Sequence, residues 1–422
     1  MTLHHRLAMG MAAALFCCPA QAQGPAPAPG EVLTTYADIA EAMYGDALTA
    51  ANTLEGAVTG LLHEPSDDTL KAARDAWVAA RVPYQQTEGF RFGNAQVEEW
   101  QGRVNRWRMD EGLIDYVDGD KPVTASDNPL GGANVIAAKA VRAGENEIDV
   151  STLSKEVLVR LHGAHGNARN VATGYHAIEF LLWGQDLNGT APGAGIRPAT
   201  DFSLDACTGG NCERRRDYLK LATELLTDDL KEMGSAWGEG GAARKALESK
   251  SDEEGLAVIL AGMAGLSQEL AHERMMRGLS EHDPRQEHDR FSDNTHNAYY
   301  YNQIGMASIY NGTYKRISGT VMRGPNLADY VRVKAPEEAN KLEQSLTATT
   351  KALGAIKKRT DDGTEAYDQM LADGNNEGNA LMQTAADALM AQARAAEGLA
   401  DKLGLKLEGK KPGGPGSAVP AP

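Results

Sequence analysis

Residues 173–186, TGYHAIEFLLWGQD, form a largely apolar stretch that carries one histidine and one glutamate three positions apart. The stretch closes a longer segment, residues 154–183, in which apolar side chains recur every three or four positions, the spacing of a helix that packs on a core. Because residues three apart share one face of a helix, His176 and Glu179 are expected to point the same way. Either neighbouring residues satisfy the hydrogen-bonding groups of both side chains, or the two side chains are ligands of one metal ion.

Helical periodicity extends over most of the chain. No run of alternating apolar and polar residues is long enough to predict a sheet. The other helical segments are residues 36–62, 69–91, 215–237, 256–279, 336–356 and 380–403. We therefore predict an all-α protein.

One short pattern occurs twice. Asn188-Gly189-Thr190 and Asn311-Gly312-Thr313 each follow an aromatic-rich helical segment. The chain is also long enough for two domains of ordinary size, about 100–200 residues each. We therefore predict two related antiparallel helical bundles, residues 31–200 and residues 201–409.

The two ends of the chain differ in composition from the rest. Residues 1–22 have the parts of a secretory signal peptide: a basic Arg6, an apolar run, and an Ala20-Gln21-Ala22 cleavage site. Residues 23–30 form a flexible leader and residues 410–422 a Pro/Gly tail. No other segment is long and apolar enough to cross a membrane. We therefore expect an exported protein of the periplasm, free there or associated with the outer membrane.

The net charge and the cysteine positions restrict the ligands and the compartment that fit this chain. The chain has 42 basic and 58 acidic residues, a net charge of −16. This negative charge disfavours binding of nucleic acid and favours binding of cations. Two of the four cysteines lie in the signal peptide, and the other two form CTGGNC, Cys207 to Cys212. In an oxidising compartment this pair predicts a disulfide, because a zinc site would require a second pair of ligands.

Two other polar clusters can complete a site around His176 and Glu179. Trp77, Arg81, Tyr84 and Glu88 follow one another at helical spacing across Pro83, which predicts a kink. Residues 281–296 hold three histidines and five acids, with Asp293 and His296 one turn apart behind a helix cap at Ser292.

We predict Glu88 as the third ligand, kept ionised by Arg81, and Asp293 and His296 as the next candidates. The alternative is a purely structural ion pair between Arg81 and Glu88. Imidazole and carboxylate together suit zinc, iron or manganese, and a set rich in oxygen favours iron.

These motifs are similar to those of a known family. Gly174-x-His176-x-x-Glu179 resembles the GxHxxE signature of the imelysin family of exported bacterial proteins. Residues 77–92, residues 104–117 and the stretch HDRFSDNTH, residues 288–296, also resemble segments of that family, in the same order. The resemblance covers most of residues 36–314 and is nearest to the iron-regulated protein A branch.

The resemblance implies a helical two-bundle fold with a site between the halves. It also implies a metal ligand, free or chelated, and a transport or redox partner in iron acquisition at the cell envelope. The family carries a metallopeptidase label, but zinc peptidases use HExxH, and Phe180 stands where an inverted motif, HxxEH, has its second histidine. We therefore expect an iron-binding protein, with zinc as an alternative metal; a metallopeptidase and a helical adaptor for a small ligand or protein remain alternatives.

Overall fold

The computed structural model describes residues 25–118, 128–143 and 145–407. The predicted signal peptide and the tail at 410–422 lie outside these residues. Within the described part, α-helices dominate and the only strands form two short hairpins, so the predicted all-α fold is confirmed. None of the described helices combines the length and the hydropathy that a membrane span requires.

The helices follow one another along nearly the whole described chain. In order they are α1 (Pro29–His63), α2 (Asp67–Gln85), α3 (Ala95–Val104), α4 (Lys155–Leu161), α5 (Gly174–Trp183), α6 (Cys212–Trp237), α7 (Ala242–Glu248), α8 (Asp252–Gln268), α9 (Arg277–Glu281), α10 (Thr295–Asn311), α11 (Leu327–Lys334), α12 (Pro336–Asp361), α13 (Tyr367–Leu371) and α14 (Asn376–Leu403). A π-helical segment, Glu269–Met276, joins α8 to α9. The antiparallel hairpins pair β1 (Ala140–Ala143) with β2 (Asn146–Asp149), and β3 (Thr313–Lys315) with β4 (Val321–Arg323).

The sequence explains where the long helices begin and which face they bury. In α1 the buried side chains include Tyr36, Met43, Leu54 and Leu61, which are seven or eleven residues apart, two or three helical turns, and so share one face. The side chain of Ser251 caps α8 by accepting a hydrogen bond from the Glu254 backbone N–H, which would otherwise lack a partner at the helix end.

The buried apolar side chains form two clusters. The larger one is centred on α1, α2, α5 and α6, with α1 packed against both α2 and α6. The smaller one is formed by the π-helical segment, α10, α13 and parts of α12 and α14. The larger cluster therefore unites helices from both sides of residue 200, because α6 follows that residue in the chain and packs on α1.

The predicted helix over residues 154–183 is wrong in its middle. Helix α4 ends at Leu161, and α5 begins only at Gly174. Between them Gly163, His165 and Gly166 all have φ between 64° and 72°, the left-handed region that ends helices and that glycine adopts without strain. The histidines at 162 and 165 therefore do not lie on the helix that carries His176.

The predicted helix over residues 69–91 is also too long. Helix α2 ends at Gln85, two residues after Pro83, because proline lacks the N–H that an α-helix needs and its ring crowds the preceding turn. Glu88 instead begins a separate 3₁₀ turn, Glu88–Arg91. It is therefore not one turn further along the face of α2 that carries Arg81 and Tyr84.

His162 is expected to make the folded protein less stable in mild acid. Burial, followed by the nearby Arg106, lowers the pKa of His162 from 6.5 to about 3. Its Nε2 donates to the Gly102 carbonyl oxygen at 2.8 Å and its Nδ1 accepts from the Ala172 backbone N–H at 3.4 Å, so the ring is neutral when folded. The unfolded chain therefore binds a proton first as the pH falls below 6.5, and stability falls with it.

For this partly exposed ring the loss of unfolding free energy between pH 7 and pH 5 is about 1–2 kcal/mol. Urea unfolding of the parent and of His162→Gln at both pH values measures it. Between pH 7 and pH 5 the unfolding free energy of the variant should fall by about 1–2 kcal/mol less than that of the parent. Equal pH sensitivity of the two proteins contradicts the prediction.

Candidate metal centre

Helix α5 is buried along its whole length, and its first residue explains how it reaches the core. Gly174 has φ +81°, and a β-carbon there would lie 2.3 Å from the Val104 carbonyl oxygen at the end of α3. Only glycine allows this close approach. The first position of the GxHxxE motif is therefore required for packing α5 against α3.

His176 and Glu179 contact each other directly. His176 Nδ1 lies 3.0 Å from Glu179 Oε2, and both side chains are at most 2% exposed. The other carboxylate oxygen, Oε1, accepts from the backbone N–H groups of Phe291 and Ser292, both at 3.0 Å, and from the Ser292 hydroxyl at 2.8 Å. Both oxygens of Glu179 are thus engaged, and the carboxylate holds the imidazole in place.

The second nitrogen of the His176 ring has no such partner. Nε2 is buried and makes no hydrogen bond with any described residue. Buried polar atoms without a partner are rare in folded proteins and often mark a ligand position. A carboxylate that fixes one imidazole nitrogen while the other is free is also the usual arrangement of a metal-binding histidine.

His288 and Asp289 lie beside the His176 ring and offer further ligand atoms. They lie on the loop of residues 287–294, just before α10, and both are at most 1% exposed. The His176 and His288 rings are 4.8 Å apart between centroids, and one ligand atom from each of His176, His288 and Asp289 lies within 4.8 Å of the others. These three residues form the candidate centre.

Arg81 neutralises the carboxylate of this group. Its Nη2 donates to Asp289 Oδ1 at 2.6 Å and its Nε to Oδ2 at 3.1 Å. The guanidinium also lies 4.9–5.6 Å from the ring centroids of Trp77, Tyr84 and Tyr175, a distance at which aromatic faces attract a cation. Arg81 therefore pairs with Asp289, and the predicted pairing of Arg81 with Glu88 is wrong.

Burial and charge set the protonation of the group. Burial, and then Arg81, lowers the pKa of His176 to about 3, and burial with Arg274 lowers the pKa of His288 well below its usual value. Burial alone would raise the pKa of Asp289, but Arg81 outweighs it and holds that pKa well below its usual range. At neutral pH the centre thus offers two neutral imidazoles and one carboxylate, the states in which these groups bind metals.

Glu179 responds to the same surroundings in the opposite direction. Burial and the nearby charge of Asp289 raise its pKa well above the usual value. A cation on His176 Nε2 would favour the ionised form of Glu179, with the remaining imidazole proton on Nδ1. Metal binding would therefore release a proton from this pair.

Glu88, the predicted third ligand, belongs to a different network. Its Oε1 accepts from the Tyr84 hydroxyl at 3.0 Å and from the Asn105 side-chain amide at 3.2 Å, and its Oε2 accepts from Arg274 at 3.2 Å. Burial opposes its ionisation, but Arg91 and Arg274 outweigh burial and lower its pKa. Glu88 makes no direct ion pair with Arg81 and is linked to it through Asn105, whose oxygen accepts from Arg81 at 2.7 Å.

Asp293 and His296 do not join the centre either. His296 Nδ1 lies 3.1 Å from the Asp293 carbonyl oxygen, and its Nε2 is 3.7 Å from Asp361 at the end of α12. Asp293 instead groups with Asp186 and Asp368. His288 and Asp289, which sequence reasoning did not single out, begin the HDRFSDNTH stretch, so the pattern indicated the loop that contributes to the candidate centre but other members of it.

The predicted disulfide is present. The sulfur atoms of Cys207 and Cys212 are 2.01 Å apart, and the bond closes the loop just before α6. Arg215 donates to the carbonyl oxygen of Gly209 in this loop and to that of Asp201 before it. The disulfide therefore fixes the entry to α6, away from the His176 group.

Comparison with known proteins identifies the family that the chain matches. The family model for imelysin matches residues 40–396. An iron-regulated protein A from Synechococcus elongatus is 37% identical over 67 residues, which span 16% of this chain and only 19% of that relative.

Two solved structures are similar in fold. One, from Parabacteroides distasonis, is described as an iron-regulated protein A precursor; it has 19% identity and a TM-score of 0.63, over 90% of this chain and 96% of that one. The other, an imelysin-like protein from Psychrobacter arcticum, has 18% identity and a TM-score of 0.59, over 89% of this chain and 95% of that one.

Proposed function

The chain belongs to the imelysin family, and from this premise we propose that it is an exported protein that binds iron for acquisition at the cell envelope. Iron is the cargo, and His176, His288 and Asp289 are its ligands. The observation that carries the proposal is the buried His176 ring, with Nδ1 held by Glu179 and Nε2 left free.

The donor set supports iron over other metals. Two imidazoles and one carboxylate with open positions are typical of ferrous iron sites without haem. Zinc accepts the same donors, so it remains the main competitor. The ion would share Asp289 with Arg81, because both carboxylate oxygens already accept from that guanidinium.

Two further observations support export of the protein and a role connected with iron. Stable disulfides are typical of exported proteins, since the cytosol of most organisms keeps thiols reduced. Two of the similar proteins are described as iron-regulated protein A or its precursor. A partner that loads or removes the iron, by transport or by redox chemistry, follows from this role.

The chemistry of the site argues against a metallopeptidase. Such an enzyme needs a base that is not itself tied up as a ligand or by other donors. Glu179, the acid nearest to His176 in the motif, has three donors on Oε1 and the imidazole on Oε2. Cleavage of peptides by the iron- or zinc-loaded protein, abolished by a chelator, would favour the peptidase.

Glu179→Gln is expected to weaken ferrous iron binding by about 10–100-fold, the usual effect of losing a residue that orients a metal ligand. The glutamine oxygen can keep the donors from Phe291 and Ser292, while its NH₂ group donates to His176 Nδ1. That reverses the tautomer and places the imidazole proton on Nε2, where the metal should bind.

Anaerobic titration with ferrous iron, alongside metal analysis of the purified protein, tests both the proposal and this variant. Glu273→Gln, at an exposed position in the π-helical segment, is the matched control and should bind like the parent. No iron binding by the parent would rule out the proposed function and favour the adaptor alternative. Parent-like affinity of Glu179→Gln would show that the carboxylate does not orient the ligand.

A further inference from the structure

A second group of acidic side chains lies beside the candidate metal centre. Asp186 follows α5, Asp293 lies on the 287–294 loop, and Asp368 lies on α13, so three separate segments converge there. One carboxylate oxygen from each lies within 4.8 Å of the others. Asp368 is 0% exposed, whereas Asp186 and Asp293 are half-buried and leave a path to solvent.

Asp186 Oδ1 accepts from the Asn188 backbone N–H at 2.8 Å, but other oxygens of this group lack the partners that buried acids normally have. Both oxygens of Asp368 and Oδ1 of Asp293 are buried without a hydrogen bond to any described residue, and so is Oε2 of the adjacent Glu287. None of the ion pairs among the described residues includes any of these four acids. A buried carboxylate without a cation or a donor is costly, so the arrangement calls for a positive charge.

Repulsion between these carboxylates also indicates that the group requires a positive charge. Burial, and then Asp368 and Asp186, raises the pKa of Asp293 to about 8. Burial, with a smaller contribution from Asp186, raises the pKa of Asp368 to about 7. A bound cation would relieve both the burial cost and the repulsion.

We propose that Asp186, Asp293 and Asp368 form a second cation site, which takes calcium through oxygen ligands alone. Hard divalent cations prefer carboxylate oxygens, and this group offers no imidazole, unlike the centre at His176. Calcium binds oxygens at about 2.4 Å in a flexible geometry and so tolerates three carboxylates from separate segments, whereas magnesium at about 2.1 Å requires a tighter and more regular shell.

Calcium bound at this site would also stabilise the proposed iron centre. Asp293 follows Ser292, which donates to Glu179 from both its backbone and its hydroxyl. Calcium would therefore tie the loop that carries His288 and Asp289 to α13 and to the end of α5. The calcium site does not depend on the proposed iron function, since its ligands are different residues.

The experiment is calcium titration of the purified full chain by calorimetry, together with thermal melts with and without calcium. The parent should bind one calcium ion and melt several degrees higher in its presence, because a ligand that binds only the folded state stabilises it. Asp368→Asn should lose both effects. Since the change removes a buried charge without a partner, the variant should melt no lower than the parent when calcium is absent.

Asp373→Asn is the matched control, because that acid lies five residues further on and its side chain is 93% exposed. It should bind calcium like the parent. Calcium binding by Asp368→Asn with parent-like affinity overturns the proposal, and so does a parent whose melting temperature ignores calcium. If magnesium or ferric iron shifts the parent while calcium does not, the assignment to calcium is wrong. Ferrous iron titration of Asp368→Asn reports on the His176 centre separately.

Discussion

Replacing His176 with alanine is expected to weaken ferrous iron binding at least about 100-fold, or about 2.7 kcal/mol. The variant loses the one nitrogen of the centre that is buried and free of any other partner. Only His288 and Asp289 remain, and Asp289 is already held by Arg81. Two ligands are too few to hold the ion against water.

The same substitution should leave the helices intact. It opens a cavity at a buried position, so a lower melting temperature is expected, while the helical circular dichroism should be unchanged. His272→Ala, at an exposed position, is the matched control for removing a histidine and should bind iron like the parent. Parent-like iron affinity in a folded His176→Ala protein would show that the ion binds elsewhere.

Periodicity predicted the long helices well because each has one continuous apolar face. Helices α6, α12 and α14 cover the predicted segments and extend beyond them by a few residues. Helix α10 was indicated only at its two ends, by the predicted cap at Ser292 and by the aromatic-rich helical segment before Asn311. Periodicity did not delimit it, because its buried face includes His296, Asn302 and Gln303, which pattern reasoning assigns to the surface. Gln303 is satisfied by Gln392 on α14 at 2.9 Å, a partner that only the folded chain reveals.

In the candidate site, too, contacts between residues close in sequence could be predicted, and contacts between distant residues could not. The contact between His176 and Glu179 spans one helical turn, so their spacing along the chain was enough to predict it. The pairing of Arg81 with Asp289 joins residues 208 positions apart, and spacing along the chain carries no information about it. The error at Glu88 arose from extending α2 beyond Pro83, which placed that carboxylate on a helix face it does not share.

The geometry assigns Arg81 a part in both stability and metal binding. Its guanidinium connects α2, through Asp289, to the loop that carries His288, and through Asn105 to the network of Glu88. With Arg81 1% and Asp289 0% exposed, this is a fully buried ion pair. The net contribution of such a pair to stability is small, but loss of one partner leaves a bare charge in the core.

Arg81→Met is therefore expected to lower the free energy of unfolding by about 3–5 kcal/mol. Arg285→Met, at a side chain that is 77% exposed and pairs with Asp283, is the control and should change it by less than about 1 kcal/mol. Urea denaturation of the three proteins without metal gives the comparison. A loss as small as that of the control would mean that water or a rearranged neighbour satisfies Asp289.

Two further measurements separate the charge of Arg81 from its packing. Adding Asp289→Asn to Arg81→Met should restore part of the lost stability, because the double variant no longer buries an unpaired carboxylate. Ferrous iron should likewise stabilise Arg81→Met more than it stabilises the parent, because the ion then supplies the only cation beside Asp289. Equal stabilisation of the two proteins by iron would mean that Asp289 is not a ligand, and the centre would then consist of the two histidines and whatever the cargo brings with it.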